Sequence, residues 1–215
     1  MNSLELFAGT GSFGKIAFEK GYNNLSLDMD GKSDITISIM DWDYKKYPPN
    51  SFDIIWSSPP CTEYSHLQYG YLNRMRKGKI FTREVWEDNM KEADKILERT
   101  LLIIDYFKPK YWFIENPATS RMKERHLIKD LPFYIVDYCK YSDWGYRKRT
   151  RIWTNLENFK PLLCKKDCGS IVDGKHKNNL GNSERAKITN SKNYSQQDRY
   201  RIPPKLIRDL LHLID

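Results

Sequence analysis

The chain has 215 residues, 40% of them hydrophobic and 30% charged, with a formal net charge of +8. That length buries a full core without disulfides or metals, and the composition is too apolar for a disordered chain. No run approaches the roughly 18 apolar residues of a membrane helix, and the opening MNSLELFAG lacks the basic start and apolar core of a signal peptide, so a cytoplasmic protein without a membrane partner is expected.

Residues 3–8 read as a short buried strand, followed by Gly9-Thr10-Gly11-Ser12-Phe13-Gly14 and a helix from Lys15 to Lys20 that Gly21 stops. Leu25 to Leu27 form a second strand ending in Asp28-Met29-Asp30. Ile35 to Ile39 alternate as a third, and Phe52 to Trp56 form a fourth after a Pro48-Pro49-Asn50 turn. Residues 84–107 place Trp86, Met90, Ala93, Leu97, Leu101 and Ile104 at helical spacing, and Pro109 ends that helix. Strands follow at Tyr111–Ile114, Tyr134–Tyr138 and Ile152–Thr154. From 156 to 198 the chain turns polar and reads as a small insert. Ile202-Pro203-Pro204 then opens an amphipathic helix from Lys205 to Ile214, with proline suited to its first turn.

Strands alternating with helices predict an α/β fold, a doubly wound and mostly parallel sheet. The predicted division is a main domain over 1–155, the insert over 156–198 and a closing helix over 199–215. Ligands in such sheets bind beyond the carboxyl ends of the strands, where the chemically suggestive runs fall.

The spacing Gly9-x-Gly11-x-x-Gly14 after a strand suits a tight turn that lets backbone approach a ligand. Asp28, at the end of the next strand, suits a ribose diol. Those features fit any adenosine-containing cofactor and leave NAD and S-adenosylmethionine tied. Ser57-Ser58-Pro59-Pro60-Cys61-Thr62 breaks the tie. Two prolines stiffen the turn and present a cysteine whose thiolate can add to an electron-poor ring carbon. Arg149 and Arg151, or a helix start, are expected to lower its pKa. Glu115-Asn116-Pro117 supplies a carboxylate for proton chemistry or for a base edge. Arg147, Arg149 and Arg151 alternate on an extended run and so point one way. The basic balance suits a nucleic-acid partner.

Together these segments resemble the cytosine-5 DNA methyltransferase family. Leu6-Phe7-Ala8-Gly9-Thr10-Gly11-Ser12 is similar to its cofactor loop, Pro59-Pro60-Cys61-Thr62-Glu63-Tyr64-Ser65 to its catalytic loop, Glu115-Asn116-Pro117 to its Glu-Asn-Val, and Arg147 to Arg151 to its Gln-x-Arg-x-Arg. The compact form resembles members encoded by bacteriophages and large DNA viruses, which places the protein in a bacterial or virus-infected cell. The resemblance implies S-adenosylmethionine as cofactor, double-stranded DNA as partner, a monomer, and a cytosine flipped from the duplex. It implies Cys61 as nucleophile at carbon 6, Glu115 at ring nitrogen 3 and the amine, Arg151 on the base and Arg149 in support. It implies cofactor contacts from Phe7, Ala8, Gly9, Thr10, Gly11, Ser12, Phe13, Asp28, Met29, Asp41, Trp42, Ser58 and Pro59, with Phe7 and Met29 on the adenine faces and Asp41 on its amine.

Two departures stand out. Arg199-Tyr200-Arg201-Ile202-Pro203-Pro204 lacks the Gly-Asn usual before the closing helix, and the insert is small for a recognition domain, so a short recognition sequence or weak specificity is expected. Asn73 to Lys79 read as a mobile basic loop over DNA phosphates. Cys164, Cys168 and His176 are one ligand short of a structural zinc site and read as a plain loop, so no metal is expected. The alternatives are a methyltransferase acting on an exocyclic amine, an RNA cytosine-5 enzyme, and a catalytically silent DNA-binding relative. The amine enzymes carry an aromatic residue where this chain has Cys61.

Overall fold

The computed structural model describes every residue except 77, 179, 181–193 and 215, together with the side chain of Gln196. Strands β1 (Asn2–Leu6), β2 (Asn23–Asp28), β3 (Ile35–Thr36), β4 (Ile54–Ser57), β7 (Tyr111–Pro117), β8 (Phe133–Asp137) and β9 (Arg149–Thr154) form one sheet. Helices α1 (Ser12–Glu19), α2 (Arg83–Phe107), α3 (Gln196–Tyr200) and α4 (Pro204–Leu211) complete the main elements. Two small hairpins, β5 (Met75–Arg76) with β6 (Lys79–Ile80) and β10 (Ile171–Val172) with β11 (Lys175–His176), lie apart from that sheet.

The sheet order is β3-β2-β1-β4-β7-β9-β8. The β3-β2, β2-β1, β1-β4 and β4-β7 pairs are parallel, and β9 runs antiparallel to both neighbours. The chain steps outward from β1 in both directions, so the sheet is doubly wound and mostly parallel, as expected.

Side-chain alternation assigns the two faces. Leu4, Leu6, Ile55, Ile114 and Trp153 meet α2 through Trp86, Met90, Leu97, Ile104 and Phe107. Each fully buried side chain of this size contributes roughly 1.5–3 kcal/mol. Thr82 caps that helix by accepting the Val85 amide at 3.2 Å, and Lys108 in the left-handed region closes it, one residue before Pro109. Glu5, Trp56 and Phe113 share a register row. Phe13 stacks on Trp56 at 5.3 Å, Trp56 on Phe113 at 5.4 Å, and α4 covers this second face with Leu206, Ile207, Leu210 and Leu211.

Three local expectations are corrected. The third strand stops at Thr36, because the chain turns so that Ile39 enters the core. The seventh strand begins at Arg149, three residues earlier than expected, and pairs its full length. The basic run 73–79 is a hairpin rather than a free loop. Arg76 lies over Tyr71 and Phe81 and bonds Gln68, while Lys77 lies outside the described residues. The start of the segment 156–198 packs on the sheet, with Leu156 and Phe159 buried in the second core cluster. Much of its later part, residues 179 and 181–193, lies outside the described residues.

Candidate active site

The turn after β4 holds Cys61, half-buried, between anchors on both sides. Asn116 Nδ2 donates to the Pro59 carbonyl at 2.9 Å. On the other side Trp86 Nε1 donates to the Glu63 carbonyl at 2.7 Å, and the Arg121 amide donates to the Tyr64 carbonyl at 2.8 Å. The Tyr64 hydroxyl donates to Asp94 at 2.9 Å, and Asp94 is held by the Arg125 fork. The thiol is therefore carried on a short span tied to β7 and to α2.

Glu115 lies on β7 with 5% exposure. Its Oε1 accepts the Tyr138 hydroxyl at 2.9 Å and lies 3.5 Å from Lys148 Nζ. Lys148 Nζ also lies 4.9 Å over the Tyr138 ring and donates to the Arg199 carbonyl at 3.1 Å. Burial raises the Cys61 pKa, the Glu115 charge raises it further, and Lys148 lowers it. The cation beside this thiol is thus Lys148, not the expected arginines.

Strand alternation gives the reason. Glu115 pairs with Ile152 and Asn116 with Arg151, so Arg151 faces the α2 side. Its guanidinium lies 3.8 Å over Phe133, toward the start of β8, and burial alone lowers its pKa. Its Nε is buried with no partner among the described residues. Arg149 forks onto Asp137 at 2.9 and 2.8 Å, and Arg147 joins the same carboxylate at 3.1 Å. Lys148, between them, falls on the opposite side. The missed residues are Lys148 and Tyr138. The expectation that Arg147, Arg149 and Arg151 share a side already implied that the intervening lysine faces elsewhere.

The expected cofactor residues divide into two groups. Phe7, Gly9 and Gly11 have φ of +59°, +49° and +63°, a run of left-handed turns at the carboxyl end of β1. Asp28 accepts the Gly9 amide at 2.9 Å and the Met29 amide at 2.6 Å, tying the loop to the end of β2. Ala8, Thr10, Met29 and Asp41 stand around this end of the sheet, with Met29 and Asp41 exposed. Ser12 Oγ accepts the Ile202 amide at 3.1 Å, which brings the segment before α4 onto the loop. Ser58 accepts Trp56 Nε1 at 3.1 Å, and Pro59 is buried.

Phe13 and Trp42 are core residues. Phe13 is fully buried on Trp56, and Trp42 packs among Tyr44, Tyr47 and Phe107 with 5% exposure. Neither ring is free for a ligand. A cleft of about 520 Å³ touches Ala8, Gly9 and Gly11 but opens toward α1 through Glu5, Lys15 and Asn24, and excludes Asp28, Asp41 and Cys61. Of the expected cofactor residues, that cleft touches only Ala8, Gly9 and Gly11.

Cys164, Cys168 and His176 lie outside this constellation.

No family model matches the chain. Over 221 aligned residues it is 38% identical to a protein of Frog virus 3 (isolate Goorha) named "Probable DNA (cytosine-5)-methyltransferase", covering 99% of this chain and 100% of the relative. The chain belongs to the DNA (cytosine-5)-methyltransferase family. A solved structure of a prophage-encoded E. coli protein, described as a DNA modification methyltransferase, aligns at 13% identity and TM-score 0.43, over 72% of this chain and 46% of that one. In this DNA (cytosine-5)-methyltransferase family member the cysteine turn, the buried Glu115 and the glycine loop all lie toward one end of the sheet. No helix among the described residues is long and apolar enough to cross a membrane.

Proposed function

We propose that this chain methylates carbon 5 of cytosine in double-stranded DNA, using S-adenosylmethionine and a transient covalent bond through Cys61. The observation that carries the reading is the grouping of a half-buried thiol with Glu115, Tyr138 and Lys148, beside the left-handed glycine loop.

The cofactor end fits the implied group. Asp28 Oδ1 accepts the Met29 and Asp30 amides, while Oδ2 accepts the Gly9 amide and retains lone-pair capacity for a diol. Met29, 71% exposed, offers an uncovered apolar side chain at that edge. Phe7, Asp28, Met29 and Asp41 would hold the nucleoside, and Gly9 and Gly11 would admit the amino-acid part. S-adenosylmethionine, when bound, supplies an electrophilic methyl group at carbon 5.

Cys61 thiolate forms a bond to carbon 6 of the flipped base, and the ring electrons shift toward carbon 5. Glu115, held by Tyr138 and Lys148, meets ring nitrogen 3 and the exocyclic amine. Carbon 5 would take the methyl group, the electrons of the broken methyl–sulfur bond staying on the donor sulfur; the carbon 5 proton then leaves to a base, and the electrons of that C–H bond expel the Cys61 thiolate. The net charge of +8 suits a phosphate backbone.

The test is methyl transfer to cytosine-containing duplexes, read by bisulfite sequencing. The wild type should form methylcytosine, Cys61→Ala should form none, and a 5-fluorocytosine duplex should trap a covalent adduct with the wild type alone. Turnover by Cys61→Ala would overturn the covalent reading.

A further inference from the structure

Four side chains that the reaction does not use converge at the root of the insert. Cys139 follows Tyr138 in the turn after β8, Cys164 and Cys168 lie in the loop beyond β9, and His176 ends β11. Their ligand atoms all lie within 4.8 Å of one another. His176 Nε2 is 3.5 Å from Cys164 Sγ and 3.4 Å from Cys168 Sγ. The three thiols are buried, and Ile171 is the apolar side chain packed against them.

The two sulfur–nitrogen distances fit neighbouring ligands of one tetrahedral ion. Bonds of about 2.3 Å to sulfur and about 2.0 Å to nitrogen, arranged as a tetrahedron, give a sulfur–nitrogen edge of about 3.5 Å. Three thiols and an imidazole enclosed together have little other reason to converge, because each is at best a weak hydrogen-bond partner for the next. Spacing alone left the set one ligand short. The fold supplies Cys139 from a strand end 25 residues before Cys164.

We propose that Cys139, Cys164, Cys168 and His176 bind one Zn²⁺ as a closed structural site. Three cysteines and one histidine fill a tetrahedral ion and leave no position for substrate, so the metal holds the fold rather than reacting. Binding releases the thiol protons to solvent, and Arg147, Arg149 and Lys140 stand nearby to offset the thiolate charge. The ion would fasten the β10–β11 hairpin to β8. Cys139 adjoins Tyr138, whose hydroxyl holds Glu115, and the Cys164 amide donates to Asp137 at 2.9 Å. The insert would then be anchored beside the wall of the active site.

The test measures metal in the full chain. Purified protein should carry one zinc per chain by mass spectrometry, with X-ray absorption showing three sulfur ligands and one nitrogen. Replacement by Co²⁺ should give thiolate charge-transfer and tetrahedral d–d bands in the wild type, a readout that needs no variant. Cys139→Ser and Cys168→Ser should lose stoichiometric zinc, Cys61→Ser should keep it, and a chelator should lower the melting temperature reversibly. Wild type that takes up no zinc or cobalt, a disulfide within the trio, or zinc held equally well by Cys139→Ser would each overturn the proposal.

Discussion

Lys148 Nζ stands 3.5 Å from Glu115 Oε1, the same oxygen that receives the Tyr138 hydroxyl at 2.9 Å. A buried carboxylate is costly unless it is paired and hydrogen-bonded, and here one oxygen has both partners. The lysine also opposes the effect of Glu115 on the Cys61 thiol. In the proposed reaction the lysine thus links the carboxylate that would meet the base to the thiol that would attack it.

Lys148→Met should therefore shift the acid limb of the kcat/KM profile upward, because a thiol without its cation ionises later. Lys148→Arg should restore part of that shift. Activity near neutral pH should fall about tenfold in the Met variant, while cofactor affinity stays within about twofold. An unmoved profile would remove Lys148 from the site.

Tyr138→Phe keeps the ring and deletes one donor to Glu115. A hydrogen bond to a charged group contributes about 1.5–3 kcal/mol, so kcat should drop roughly ten- to a hundredfold. Since the ring still fills its place in the buried cluster against Trp144, melting should move by only a few degrees. Steady-state kinetics on a fixed duplex with a melting curve for the same sample separates the two effects. A large loss of stability with kcat unchanged would make the tyrosine a packing residue.

Much of this was legible in the sequence. Cys61 follows, and Glu115 lies near the end of, strands whose apolar runs are unambiguous, so the doubly wound order puts both toward one edge of the sheet. The glycine loop was legible for the same reason. What was not legible was the packing of rings and the partners of cations. Phe13 and Trp42 stand in cofactor-like positions, yet their large apolar surfaces are buried in the core. Arg149 and Arg151 sit in a run that spells a base-binding pair, but the pairing of β9 with β7 and β8 sends them to Asp137 and Phe133. Cys139 was invisible as a partner of Cys164 because its nearness arises only when β8 and β9 pair.

Arg149→Lys tests that reassignment. Lysine keeps the charge but cannot fork onto Asp137, which is fully buried and also holds Arg147. Since Arg149 is 40% exposed, the loss should be about 1–2 kcal/mol, or about 3–6 °C in melting temperature. Methyl transfer per folded molecule at low temperature should stay within about twofold. A collapse of kcat at unchanged melting temperature would return Arg149 to the reacting set.

Glu5 gives a prediction in pH. Its carboxyl is buried beneath the glycine loop, accepting the Phe13 amide at 3.1 Å and the Gly14 amide at 3.0 Å. A Cβ at Gly14 would meet Glu5 Oε2 at 2.7 Å, so glycine is needed there to admit the acid. Burial pushes its pKa up to about 7 from an ordinary 4.5, against the two amides and Lys15. The folded state then holds a proton that the unfolded chain has lost between those values. Stability is greatest below about 4.5, falls as pH rises through the window, and stays low above about 7, a gap of about 3 kcal/mol at most. Glu5→Gln cannot ionise and should flatten that slope, although its amide nitrogen faces one of the two backbone donors and offsets part of the gain. Urea unfolding at pH 5 and pH 8 should show wild type losing about 2–3 kcal/mol between them and the variant losing less than about 1 kcal/mol. Parallel losses in both proteins would place the pH dependence on another group and leave Glu5 a silent acceptor beneath the loop.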